Sequence, residues 1–246
     1  MTQPHVVVLD GPDAVAARAA EEFEIHARAA IAARNCFAVA LSGGKTPTRS
    51  FEMLVSPRFI DTIEWPRVHF FWGDERCVPP DDPASNYAQA RKSLLDPIHA
   101  QEKSIHRMRG ELEPRDGARD YAAFLDRFFG GAAVFDLVFL GLGRDGHTAS
   151  LFPNARALEE TAAACVSTHV PGNLVPWRLT LTYPVFNAAR AAFFLVTGAD
   201  KADVLARVLE GPRQPATLPA QGVAPTEGSL TWLVDRAAAA RLKQHA

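Results

Sequence analysis

The sequence predicts an α/β fold, a mostly parallel sheet with helices on both faces. Short apolar runs recur along the chain, and segments of helical periodicity separate them. Several runs, among them Val134–Leu140 and Ala191–Val196, are apolar on both alternating faces. A strand of that kind has to be covered on both sides, as happens where helices flank a parallel sheet. Strands that alternate with helices build such sheets.

The expected strands are His5–Leu9, Phe37–Leu41, Val68–Trp72, Phe135–Leu140, Ala163–Val170, Arg178–Thr182, Ala191–Thr197 and Leu230–Val234. The first helix, Asp13–Arg34, is Ala-rich, with Ala16, Ala19, Ala20, Phe23 and Ala27 along one side. A short helix is expected over Pro47–Leu54, and amphipathic ones over Ser85–Leu95 and Arg115–Phe129. In the last of these, Tyr121, Phe124, Leu125 and Phe128 fall at helical spacing and read as core packing. Asp200–Leu209 carries Val204, Leu205 and Val208 in the same way. The Pro-rich pieces Cys77–Pro83, Pro171–Pro176 and Gly211–Pro225 read as loops. None resembles a flexible linker, and no repeat is present, so residues 1–246 are expected to form a single domain.

Composition narrows the classes. The 26 Lys+Arg against 28 Asp+Glu leave a net charge of −2, which argues against a broadly basic nucleic-acid binder. Hydrophobic residues at 48% and charged residues at 22% are ordinary globular values and exclude intrinsic disorder. Cys36, Cys77 and Cys165 are odd in number and widely spaced, so no disulfide framework or zinc site is expected. No run approaches the roughly 18 apolar residues of a membrane span. The first residues carry no secretory signal pattern, and a cytoplasmic protein is the expectation.

In parallel sheets, ligands gather outside the carboxyl ends of the strands. Four strand ends here carry chemistry. The first is Ser42-Gly43-Gly44-Lys45-Thr46-Pro47, where glycines can turn backbone N–H groups toward an anion above a helix N-terminus. Pro47 suits the first helical position. The fragment lacks the first glycine of a Walker A loop, since that position is Val39. The second is Trp72-Gly73-Asp74-Glu75-Arg76, whose three adjacent charges are costly to bury unless paired or liganded. Arg76 suits a phosphate or carboxylate, and Asp74 or Glu75 suits a hold on Arg76 or on sugar hydroxyls.

The third junction, Gly141 to Ser150, matches G-x-G-x-x-G, but Pro153 soon breaks the helix that a dinucleotide site needs. His147 is the more informative residue. Asp145 stands two positions earlier and can fix its tautomer. Histidines ordinarily titrate near pH 6.5, which suits general-base work. The fourth junction supplies Arg178, and Lys201 at the start of a helix, as cations on the same rim. The histidines at positions 5, 26, 69, 99, 106, 169 and 245 form no metal-ligand spacing and read as structural or exposed. The basic run Lys103–Arg109 reads as a solvated strand or loop.

Taken in order, Leu41–Pro47, Trp72–Arg76 with Ser85-Asn86-Tyr87, Gly141–Pro153, Leu179–Pro184 with Asn187, and Gly198–Lys201 resemble the soluble 6-phosphogluconolactonase family. The resemblance implies a Rossmann-like fold shared with glucosamine-6-phosphate deaminase and ribose-5-phosphate isomerase. It implies hydrolysis of 6-phosphoglucono-δ-lactone to 6-phosphogluconate, with no metal or organic cofactor. Ser42, Gly43, Gly44, Lys45, Thr46, Arg178 and Lys201 would correspond to phosphate-binding positions. His147 would be the catalytic histidine with Asp145 beside it, and Asp74 and Arg76 would line the site. Lys45 departs from the small residue that many members carry.

The implied partner is a small sugar-phosphate lactone, with neither nucleic acid nor membrane, and a monomer is expected. Arg76 or a backbone N–H of the Gly143–Gly146 turn would stabilise the oxyanion. The deaminases differ at the same places. They carry Asp-Glu-Tyr where this chain has Asp74-Glu75-Arg76, and Ala-Phe-Asn-Glu where it has Ala149-Ser150-Leu151-Phe152. A non-catalytic sugar-phosphate sensor would add a helix-turn-helix, and only one helix precedes the first loaded junction. A nicotinamide-dependent dehydrogenase rests on the glycine pattern alone.

Overall fold

A computed structural model describes residues 5–243. His245 therefore lies outside the described residues. Six parallel strands form the main sheet in the order β1-β9-β8-β5-β2-β3. They are β1 (His5–Leu9), β2 (Phe37–Leu41), β3 (Val68–Trp72), β5 (Leu137–Leu140), β8 (Ala191–Val196) and β9 (Ser229–Asp235). Every residue of β2, β5 and β8 is buried, so the centre of the sheet is covered on both faces. The α/β expectation is met, with strand ends differing by a residue or two.

The two-sided apolar pattern did not extend to the strands read at Ala163–Val170 and Arg178–Thr182. These are β6 (Cys165–His169) and β7 (Trp177–Leu181), and they lie outside the main sheet. With β4 (Asp74–Arg76) they make a second, antiparallel sheet in the order β4-β7-β6. The reason is the length of loop 170–176. A return this short joins antiparallel neighbours, because a parallel pair needs a crossover of a dozen or more residues. The segment 74–76, expected as a charged strand end, is thus itself a strand.

Gly73 joins the two sheets. Its N–H donates to the Leu41 carbonyl at the end of β2, and its carbonyl accepts from Leu181 N–H on β7, at 2.8 and 2.9 Å.

Helix α1 (Pro12–Arg34) packs on β1, β2, β8 and β9 and against α2 (Lys45–Leu54). Its buried Val15, Ala16, Ala19, Phe23, Ala27 and Ile31 follow the helical repeat. Because α2 begins at Lys45, Pro47 is its third residue, not its first. Proline is tolerated there because the first-turn N–H groups have no helical partner. The helix expected over Ser85–Leu95 divides into α3 (Asn86–Ala90), capped by the Ser85 hydroxyl, and a π-helical stretch Arg91–Leu95. Helix α4 (Pro114–Phe129) packs on β6 and β7 with Tyr121 and Leu125 buried, as the stripe predicted.

Three helices complete the chain: α5 (Tyr183–Ala188), which the sequence reading missed, α6 (Ala202–Glu210) and α7 (Arg236–Ala239). Residues 199–201 form a separate 3-10 turn, so Lys201 stands just ahead of α6 and does not sit inside it.

The run Lys103–Arg109 is less solvated than expected. Ser104 and Met108 are buried, and Ile105 and His106 pair with Phe70 along the free edge of β3. At the amino ends of the strands, the buried Asp136 carboxylate accepts from Ala38 N–H at 2.9 Å and from Arg34 at 2.7 Å. Arg190 stands 3.3 Å from the same carboxylate. No described helix is long and apolar enough to cross a membrane.

Candidate active site

The carboxyl ends of β2, β3, β5 and β8 open on one cavity of about 590 Å³. Seven of the expected site residues line it: Ser42, Gly43, Asp74, Arg76, Asp145, His147 and Lys201. Gly44, Lys45, Thr46 and Arg178 do not. The Gly44 N–H donates to Gln89 Oε1 at 3.2 Å, and the Lys45 side chain is exposed at the start of α2. Thr46 turns aside to share a 2.8 Å hydrogen bond with Thr197, which ties the β2 and β8 loops together. Arg178 stands directly across the ladder from Arg76, so both point to the same side of the small sheet. Burial, then the charge of Arg76, lowers the Arg178 pKa.

His147 is held on three sides. Its Nδ1 lies 2.5 Å from Asp145 Oδ1, and its backbone N–H donates to the same oxygen at 3.1 Å. Donation from Nδ1 leaves Nε2 as the free acceptor. Phe152 stacks on the ring with centroids 4.2 Å apart. On the Nδ1 side stands Gly143, where a Cβ would come within 2.0 Å of that nitrogen. Burial pushes the Asp145 carboxyl up, but the hydrogen bonds and charge of His147 outweigh it and hold the carboxyl below its usual range.

The Gly143–Gly146 turn uses its own amides. Gly143 N–H donates to the His147 carbonyl and Gly146 N–H to the Gly143 carbonyl. These two donors are therefore already engaged within the loop. The G-x-G-x-x-G pattern is a tight loop with Gly146 at φ +87°, and the next helical residues are a short 3-10 turn at Arg156–Glu159. A dinucleotide fingerprint would lead straight into a full helix.

Asp74 and Arg76 alternate with Glu75 along β4. Arg76 is not held by a neighbouring carboxylate side chain; it donates to the Ala84 carbonyl. Glu75 points the other way and is buried. Its carboxylate accepts from Arg76 N–H, Ser85 Oγ, Asn86 N–H and Tyr87 N–H at 2.7–2.9 Å. Burial drives its pKa up, and those four donors only partly offset it. Lys201 is half-buried, and burial lowers its pKa more than neighbouring Asp200 raises it. Asp200 itself accepts from Arg144 at 2.8 Å.

Asn86, Arg144, Phe152 and Asn173 also line the cavity, and sequence reasoning, which named Asn86 only within a matching segment, gave none of them a role. Arg144 and Phe152 lay inside a segment already singled out, flanking His147. Asn173 lay in a loop that carried no signal. Among the described residues, no three His, Cys, Asp or Glu side chains converge as metal ligands do.

The family model for glucosamine-6-phosphate isomerases/6-phosphogluconolactonase matches residues 10–232. The chain belongs to this family. A 6-phosphogluconolactonase of Haemophilus influenzae is 36% identical over 200 residues, covering 81% of this chain and 85% of that protein. One of a Nostoc species is 36% identical over 242 residues, covering 96% and 98%. The solved 6-phosphogluconolactonase of Trypanosoma cruzi superimposes with a TM-score of 0.86 at 26% identity, covering 98% and 97%. The likeness to that structure runs over nearly the whole of this fold.

Proposed function

We propose that this chain hydrolyses 6-phosphoglucono-δ-lactone to 6-phosphogluconate in the oxidative pentose phosphate pathway. The observation that carries the mechanism is the Asp145–His147 pair at the cavity. With Nδ1 donating to Asp145, Nε2 takes a proton from water as that water bonds to the lactone carbonyl carbon. The carbonyl pair moves onto oxygen, and Arg76 stabilises the oxyanion. When the tetrahedral intermediate collapses, the ring C–O bond breaks. His147 returns its proton to the departing ring oxygen, and the new carboxylic acid ionises.

The phosphate is remote from the reacting carbon, so binding it orients the ring. Lys201 is the cation on the cavity wall best suited to it, and Arg144 adds a second. Arg178 acts through the field it shares with Arg76, and the Ser42–Thr46 segment through Ser42 and Gly43. The scheme draws on no cofactor. It describes a cytoplasmic monomer acting on a diffusible sugar phosphate, with no nucleic acid or membrane as partner.

The test is a coupled assay on freshly generated lactone, with spontaneous opening subtracted. His147→Ala should lower kcat by about 10²–10⁴-fold with little change in KM. Lys201→Ala should chiefly raise KM. Near-wild-type turnover by His147→Ala would remove the base.

A further inference from the structure

Asp74 is buried and forms no ion pair among the described residues, yet it lines the cavity. Two side chains from distant parts of the sequence hold it. Ser150 Oγ donates to Oδ2 at 2.7 Å, and Asn86 Nδ2 donates to Oδ1 at 3.1 Å and to the Asp74 carbonyl at 2.8 Å. Each carboxylate oxygen therefore receives one donor from the protein and keeps further accepting capacity.

Both donors are themselves fixed. The Ser150 N–H donates to Thr180 Oγ1 on β7 at 3.3 Å. Asn86 is seated because Glu75 accepts its backbone N–H, and its amide packs against Gly43, where a Cβ would meet Oδ1 at 1.8 Å. That Oδ1 is buried without a partner. An unsatisfied buried acceptor is costly, so the amide is not held here by its own hydrogen-bond balance.

We infer that Ser150 and Asn86 are positioning residues, clamping the Asp74 carboxylate so that its remaining lone pairs accept the hydroxyls of the sugar ring. This rests on the lactonase reading above and extends it. The ring bears several hydroxyls beside the reacting carbonyl, and a carboxylate with fixed rotation can choose among their orientations. A freely rotating one would lose that choice and, with it, part of the near-attack geometry. The clamp also explains why Asn86 tolerates an orphaned oxygen.

The experiment is a double-substitution cycle on the full chain, read as kcat and KM separately, with circular dichroism and melting temperature for each protein. Asp74→Ala and Ser150→Ala should each lower kcat/KM by about ten- to a hundredfold. The double variant should be no worse than Asp74→Ala alone, because Ser150 then has nothing to position. Losses that multiply would overturn the clamp while leaving the lactonase reading intact. Wild-type kinetics for Asp74→Ala would remove Asp74 from the site and overturn the clamp with it, whereas a His147→Ala variant that stays active is the result that strikes the reading beneath. If Ser150→Ala does not fold, Asn86→Ser gives the same cycle through Oδ1, with the same two outcomes.

Discussion

At the residue scale, the His147 imidazole is held by one carboxylate, one aromatic ring and one glycine. The pairing of His147 with Asp145 was legible because the two stand two positions apart, a spacing that a glycine turn folds into a hydrogen bond. Phe152 and Gly143 were not legible as its supports. Their contacts depend on where the ring finally lies, and no local pattern encodes that. The packing yields a sharp expectation. Gly143→Ala puts a methyl into the space of Nδ1, so the ring must shift. A displacement near 1 Å at a reacting group can cost about a hundredfold in rate. Steady-state kinetics should show a kcat loss of that order, while the melting temperature moves little because Gly143 and the ring it meets are only partly buried. An unchanged kcat would mean that the ring does not need its present position.

At the scale of elements, the central strands were read almost to the residue, because burial on both faces leaves an unmistakable apolar run. The small sheet was harder. Strand β6 was legible as a strand but not as a member of a separate sheet, and β4, made of three charged residues, advertises no strand at all. Only the short 170–176 connection, read as a topological constraint, points to antiparallel pairing. A second expectation concerns the edge of β3, where His69 Nδ1 and His106 Nε2 are 3.0 Å apart against Phe128. Burial, with a smaller contribution from His69, pushes His106 down to about 4. Burial also lowers His69, and Lys103 adds to it.

Between pH 6.5 and 4 the unfolded chain binds protons on these histidines that the folded one refuses, so stability falls as pH drops through that window. Urea midpoints at pH 7.5 and 5.0 should separate further for the wild type than for His106→Phe. Equal separations would rule the pair out as the source. A third expectation sits at the other end of the strands. Asp136→Asn keeps the shape but weakens the contacts to Arg34 and Arg190, and should cost about 1–3 kcal/mol of unfolding free energy by denaturant titration.

For the whole molecule, the site gathers residues from Ser42 to Lys201, which is why composition alone could not show it. The net charge of −2 averages away a cavity wall that presents Arg76, Arg144 and Lys201 together. Which junctions carry chemistry was legible, since ligands collect at the carboxyl ends of parallel strands. Which residues within each junction face the cavity was not, as Gly44, Lys45 and Thr46 show. A site assembled this way couples binding to global stability. The product 6-phosphogluconate, at a hundred times its dissociation constant, should stabilise the fold by about 2.7 kcal/mol, visible as a raised melting temperature. His147→Ala should keep that shift, and Lys201→Ala should reduce it; an equal shift in both would separate Lys201 from phosphate binding. Finally, Gly73 passes the chain from one sheet to the other, so Asp74 and Arg76 ride on a different slab from the one that carries His147 and Lys201. Distances across the reaction centre are therefore set by how the two slabs seat on each other. Substitutions buried between them, touching no substrate, can retune the enzyme as a shim retunes a vice.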